Sequence, residues 1–388
     1  MILFLWFGLS LFVVLKGIIT HQTFNNFTIF RYNFLNTIHQ HNLYAPQPQH
    51  YDDLNHYGPA FSLLIAPFAL LPESLGVLLW VFFNAFILYK AVRSLPFKKD
   101  VYLPVLLICA HELMTASANV QSNAMIAAFI LLSFSLIKKQ RDFWAALLIA
   151  LGTLIKLYGI VGLAFFLFSD NKLKLLAGLA FWSVLLFFLP MAISSPAFIV
   201  QTYHDWYIDL VAKNNVNQSS FLQDISVMGM IRTVFHVEGL KNIYIISPAL
   251  LLFILSYSRV KYFNSLQYQL LMLSSVLIFT VIFSSSAESS TYIIAFAGVA
   301  IWFMNLNRPI SILEIGLLVF AIIVTSFSPS DLFPRSVRME YIVPYKLKSL
   351  PCLLIWLKIL HEILTRDFDV QKVNDPNHNI HNLESNTV

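Results

Sequence analysis

Two adjacent carboxylates, Asp52 and Asp53, stand near the end of a polar, aromatic segment with almost no cationic charge, just before Asn55-His56-Tyr57-Gly58-Pro59 leads back into apolar sequence. A carboxylate or imidazole within hydrogen-bond reach can take the proton of an attacking hydroxyl, and neighbouring carboxylates can hold one proton between them. A solvated Asp-Asp turn is the competing reading of the pair. Glu288 is the second candidate base. It lies in a short Ser- and Thr-rich stretch between two apolar segments, where an acid at membrane depth is costly and more often functional. Its alternative is an acid at a helix N-terminus ahead of Thr291 and Tyr292. His111 and Glu112 are similar cases that Asn119 and Gln121 can satisfy without chemistry.

Cations carry the complementary signal. Arg335, Arg338, Lys346 and Lys348, joined by Arg232, fall in segments where basic residues are normally sparse. Such residues grip phosphate oxygens and stabilise a departing phosphate; contact with lipid headgroups is the bland alternative. Tyr57 and Tyr292 are candidates for stacking on a sugar ring, and Gln121 and Asn123 for hydrogen bonding to it, although aromatic belts and interhelical hydrogen bonds use the same residues. His50 and His56 flank the Asp pair, but the spacing does not fix them on one face, so no metal site and no cofactor are expected.

These side chains need a scaffold, and the composition says which kind. Of 388 residues, 58% are hydrophobic and only 12% charged, with 35 Phe, and the mean hydropathy is +0.70. That is an integral membrane protein, all-α and polytopic. Crossing a bilayer takes roughly 17 to 25 apolar residues, and candidate segments at 2–19, 74–92, 101–114, 121–137, 143–155, 157–168, 174–192, 243–257, 267–284, 291–304, 310–327 and 349–364 predict about twelve transmembrane helices. The pair 143–155 and 157–168 reads as one broken crossing or two tilted ones, with Lys156 between them.

Basic residues at 90–99, 138–141, 172–174, 259–261 and 308 all fall on one side under that count, which makes that side and both termini cytoplasmic. The expected location is the plasma membrane. Loops 20–60, 193–242, 284–290 and 328–348 then lie outside, residues 1–364 form one membrane domain, and 365–388 form a disordered cytoplasmic tail. The net charge of +5 follows from this topology and implies no nucleic-acid partner. Two cysteines, Cys109 and Cys352, supply no disulfide framework. Phe27, Phe30, Phe34 and Ile38 recur at helical spacing, as do Ile199, Tyr203, Trp206 and Leu210, predicting two helices lying in the membrane interface. On the second, Asp205, Asp209 and Lys213 read as a solvated face with one ion pair. Residues 60–71 are too short to cross.

The order of these features resembles glycosyltransferase family 87: a first span, an outer loop with a helix, Tyr57-Gly58-Pro59 leading into an apolar stretch, and Asn119-Val120-Gln121-Ser122-Asn123 between two spans. Asn217-Gln218-Ser219, Gly229, Arg232 and Lys156 also fall where the family's features are expected. Glu288-Ser289-Ser290-Thr291-Tyr292 and Phe333-Pro334-Arg335 look like elements of a bacteroidete-type branch. The resemblance covers roughly residues 1–360. It implies a GT-C fold and transfer of a hexose, plausibly mannose, from a polyprenyl-phosphate sugar to a lipid or glycan acceptor outside the membrane. Where the family carries an acid in the first outer loop, this chain has Asn25-Asn26, leaving Asn26 as a substrate contact. Asn cannot take a proton, so another carboxylate substitutes, the mechanism differs, or transferase activity is absent. A lipid or lipid-linked-sugar transporter is the other class; it would be expected to carry internal repeats, and none stands out. The sequence leaves oligomeric state open.

Overall fold

The structure, a computed structural model, describes residues 1–98, 100–217, 223–307 and 309–369. Lys99, Arg308, Gln218-Ser219 and the tail from residue 370 lie outside the described residues. All regular structure among the described residues is helical. The order is α1 (Ile2–Ile19), α2 (Asn25–His39), α3 (Phe61–Ala69), α4 (Glu73–Ser94), α5 (Tyr102–Ala118), α6 (Asn123–Lys138), α7 (Asp142–Ile155), a 3-10 segment (Leu157–Phe168), α8 (Lys172–Phe188) and α9 (Pro196–Asn217). It continues with α10 (Val227–Val234), α11 (Ile243–Leu255), α12 (Leu266–Ile282), α13 (Tyr292–Met304), α14 (Ile312–Phe320), a π segment (Ala321–Phe327), α15 (Arg335–Val337), a second π segment (Arg338–Ile342) and α16 (Leu350–Thr365).

Each apolar segment of the sequence folds as helix, because a chain in lipid must satisfy its backbone hydrogen bonds internally. Among the described residues three helices are long and apolar enough to cross a membrane by length and composition: Ile2–Ile19, Glu73–Ser94 and Lys172–Ala192. The other apolar helices are 10–17 residues long. α6, α12 and α13 are buried on nearly every side and form the centre, with Phe134, Phe296 and Trp302 fully buried. α1, α8, α11 and α14 turn apolar side chains outward, among them Phe4, Val184, Leu251 and Leu313, as a bilayer-facing surface requires.

The segments 142–155 and 157–168 are a hairpin, not one broken crossing. Ser169 at its end donates to Asp142 at its start (2.5 Å), and Gly152 packs so closely on Gly159 that a Cβ on Gly159 would lie 2.3 Å from a Gly152 backbone atom. Lys156 occupies the tip. The two helices expected at the membrane interface each pack one apolar face on protein, while Ile38 of α2 and Val200, Ile208 and Val211 of α9 stay exposed. Phe27 and Phe30 of α2 are buried, Phe30 edge-on to Tyr57, Phe61 and Trp80. On α9, Ile199 and Trp206 are buried, the latter against Leu43 and Tyr44. Their periodicity marked an apolar face correctly, but periodicity cannot say whether lipid or protein covers it.

Candidate functional site

The chain enters the site through a tight approach of loop to helix. Gly58 N donates to Ile155 O at the end of α7 (3.0 Å), and a Cβ there would sit 2.0 Å from Leu154 O. Only glycine lets the two backbones come this close. The contact carries the preceding residues, Asp53 to Tyr57, over the Lys156 hairpin tip. Asn25 Oδ1 accepts from Asp52 N (3.0 Å), tying the same loop to the start of α2.

A cavity of about 460 Å³ opens beside this loop. Asp53 and Glu288 line it together with Arg338, Lys346 and Lys348, and Asn26 and Gln121 complete the wall between them. All four segments read as outer loops contribute. A smaller cavity of about 220 Å³ shares Asn26, Asp53, Gln121 and Glu288 with the first, and extends toward His56, Tyr57, Lys156 and Lys213. The acid pair therefore stands at the junction of two chambers, each with cations.

Backbone strain shapes the walls. Val120, Asp224 and Lys346 all have positive φ (51°, 54° and 54°), a conformation that is an outlier for a β-branched residue such as valine. Val120 is held there by its N–H to Ser117 O (2.9 Å) and by Trp80 Nε1 donating to its carbonyl (3.2 Å); the turn presents Asn119 and Gln121 to the cavity. Strain of this kind persists only where surrounding structure enforces it, and it clusters at functional sites. Arg338 opens the second π segment, a local irregularity frequent at such sites, and its guanidinium donates to Pro329 O and Ser330 O (3.2 and 3.1 Å).

The remaining sequence candidates divide. Asp52 and Asp53 are both exposed, but Asp52 lines a different cavity, and Arg335 is exposed and not among the cavity-lining residues. Arg232 is buried in an ion pair with Asp224 and donates to Asn242 Oδ1 (2.7 Å) and Leu240 O (3.1 Å), so it clamps the loop below Lys346. Lys348 is buried against Glu112 (3.0 Å) and Ser289. Asn123 is fully buried, accepting from Lys156 Nζ (2.9 Å), so it serves as interhelical glue rather than a ligand contact. Tyr292 is fully buried with its hydroxyl on Ile225 O (2.7 Å), which leaves no face for stacking. Tyr57 lines the small chamber and hydrogen bonds to Gln121 (3.2 Å) and Ser122 (2.8 Å). Glu288 also caps the turn before α13, its carboxylate accepting from Thr291 while the Thr291 hydroxyl accepts from Glu288 N.

The sequence reading missed the inward face of α9. Asp209 holds His56 Nδ1 at 2.7 Å, leaving the imidazole along the small chamber. Lys213, a turn later, lines the same chamber; burial lowers its ammonium pKa, against the opposing pull of Glu288 and Asp53. The i, i+4 spacing of Asp209 and Lys213 was visible, but the partner that turns that face inward is His56, 153 positions away.

Opposed acids and cations around a two-chambered cavity can accept a proton from a hydroxyl while stabilising a leaving anion. Among comparisons with known proteins, the model of glycosyltransferase family 87 matches residues 55–286, more than half of the chain. No curated protein matches it.

Proposed function

The chain belongs to glycosyltransferase family 87, a membrane glycosyltransferase family, and on that premise we propose that it moves a hexose, mannose in our reading, from a polyprenyl-phosphate donor to a hydroxyl of a lipid or glycan acceptor. The reaction runs at the extracytoplasmic face of the plasma membrane, on a GT-C scaffold of about twelve spans with both termini inside. Asp53 is the base. It takes the acceptor proton as the acceptor oxygen bonds to the anomeric carbon; the bond from that carbon to the phosphate oxygen breaks and its electron pair leaves with polyprenyl phosphate. Arg338 and Lys346 receive the extra negative charge, and no metal takes part. Glu288, across the junction, is the second carboxylate available for the proton, and Asn26 and Gln121 orient the sugar.

One observation carries this reading: Asp53 and Glu288 line the same cavity as Arg338 and Lys346. In this reading Asp53 substitutes for the acid missing at Asn25-Asn26. Asn25 fastens the 50–53 loop to α2, so a carboxylate from further along the chain reaches the cavity that the amides line. Purified protein given a labelled polyprenyl-phosphate sugar and acceptor lipids or glycans should release polyprenyl phosphate. Asp53→Asn should lower kcat by about 10² to 10⁴, the usual contribution of general-base catalysis, while Asp52→Asn changes it little. Equal activity of Asp53→Asn and wild type removes Asp53 from the mechanism; lipid movement without bond cleavage replaces the transferase with a transporter.

A further inference from the structure

A cavity of about 630 Å³ lies between α2, the loop before Asp53 and the start of α4, and the proposed reaction makes no use of it. It is a compartment of its own. On one side Tyr32 and His50 meet across it, with ring centroids 4.2 Å apart and the Tyr32 hydroxyl 2.9 Å from His50 Nδ1. Toward Asp53 it is closed where Asp52 N donates to Asn25 Oδ1 (3.0 Å). Its size falls within the usual range of small-molecule sites, about 300–1,000 Å³.

Three charged side chains line this cavity: Arg31 of α2, Asp52 of the loop and Glu73, the first residue of α4. Gly76, one turn further on, lets α4 close on α2 and so brings Glu73 to the wall; a Cβ at Gly76 would lie 2.6 Å from the Phe27 ring. Among the described residues none of the three charged groups is in an ion pair. The guanidinium and the two carboxylates therefore face one cavity without reaching each other. A helix dipole accounts for an acid at the start of α4, but not for an arginine set apart from it across a cavity. Opposite charges held at that separation suit a ligand that carries both.

The position of the cavity says where such a ligand comes from. Thr23 and Phe24, just past the end of α1, line it together with Glu73 at the start of α4, and both helices are long and apolar enough to cross a membrane. Phe12, Leu15 and Ile19 on α1 and Leu75, Leu79 and Phe82 on α4 are exposed, as contact with acyl chains requires. The cavity thus stands at the ends of two crossing helices, where hydrocarbon gives way to headgroups. There an arginine grips phosphate oxygens. Carboxylates accept from N–H donors, of which a primary ammonium offers three and a quaternary one none.

We propose that this cavity binds the headgroup of a zwitterionic phospholipid with a primary ammonium, its phosphate on Arg31 and its ammonium between Glu73 and Asp52. Such a lipid is a bound partner of the protein, distinct from the substrates of the proposed transfer, and the site does not depend on the transferase reading. The test uses full-length, delipidated protein in detergent. It is titrated with short-chain phosphatidylethanolamine, phosphatidylcholine and phosphatidylglycerol and with chain-free glycerophosphoethanolamine; native mass spectrometry counts the bound molecules and thermal unfolding is recorded alongside. Phosphatidylethanolamine should bind about tenfold tighter than the choline or glycerol lipid, the effect of one charge-assisted hydrogen bond. Glu73→Gln combined with Asp52→Asn, both at exposed positions, should abolish that preference, and Arg31→Gln should weaken all three lipids alike. Equal affinities in wild type, or a preference that survives the double variant, overturns the site. Choline lipid bound as tightly as the ethanolamine lipid overturns the hydrogen-bonded ammonium, and glycerophosphoethanolamine bound as tightly as the lipid replaces the phospholipid with a soluble zwitterion. Should Arg31→Gln lower the unfolding temperature of the lipid-free protein, the headgroup preference of the double variant decides alone.

Discussion

Lys348 lines the cavity of Asp53 and Glu288, yet its geometry is that of a structural ion pair, and replacing it with methionine should show which role dominates. Its ammonium is 3.0 Å from Glu112 Oε1, 3.0 Å from both the carbonyl and hydroxyl oxygens of Ser289, and 4.9 Å from the Tyr292 ring centroid. The side chains are 4% and 0% exposed, so water cannot replace what is lost. Glu112 Oε2 already lacks a hydrogen-bond partner, so the carboxylate has no second support. Removing one member of a buried pair typically costs 3–5 kcal/mol, and Lys348→Met should fall at the upper end, about 4–5 kcal/mol, because Ser289 loses its donor as well. Glu112→Gln combined with Lys348→Met leaves no buried charge and should cost about 2 kcal/mol less than the sum of the single changes, a coupling within the range seen for contacting residues. Denaturant unfolding in detergent, followed by tryptophan fluorescence, reads these differences. If Lys348→Met unfolds like wild type, the double variant is additive, and the donor KM rises instead, the structural assignment is wrong and Lys348 is a phosphate ligand.

Arg338 and Arg335 give a paired comparison. Arg338→Ala should raise the donor KM at least tenfold, as expected for loss of a charge-assisted contact worth about 1.5–3 kcal/mol, whereas the exposed Arg335→Ala should leave it within twofold; equal effects would place the donor elsewhere. Lys346 predicts a pH dependence. Burial pulls its ammonium below the usual lysine range, with nearby Asp224 opposing and Arg232 reinforcing the shift. Its charge is therefore lost as pH rises through that lowered value, and donor affinity should weaken at a lower pH than an ordinary lysine would give. The folded state binds fewer protons than the unfolded in that window, so Lys346's own contribution makes stability rise with pH there. A titration of donor KM beside unfolding at each pH distinguishes this from alkaline denaturation, and Lys346→Arg should move the affinity loss upward. An unmoved profile would remove Lys346 from the donor site.

What the linear order of residues determined was the class of the molecule and the location of its helices. Apolar runs in a bilayer have one way to satisfy their backbone, so segments such as 2–19 and 267–284 are readable without any partner. Tyr57-Gly58-Pro59 was legible only through its resemblance to the family; the close backbone approach of Gly58 to Leu154 came from the packing. Tertiary structure alone decided which charged groups meet. Asp52 and Asp53 are neighbours in sequence, but Asn25 anchors the loop so that only Asp53 lines the cavity. Lys348 and Arg338 looked alike as outer-loop cations until Glu112, 236 positions from Lys348, claimed one of them. The face of α9 read as solvated turned inward for the same reason, through His56. Hydrophobic burial is a property each segment carries with it, whereas a carboxylate's role depends on the partner within a few ångströms, and that partner comes from whichever distant segment the packing brings there.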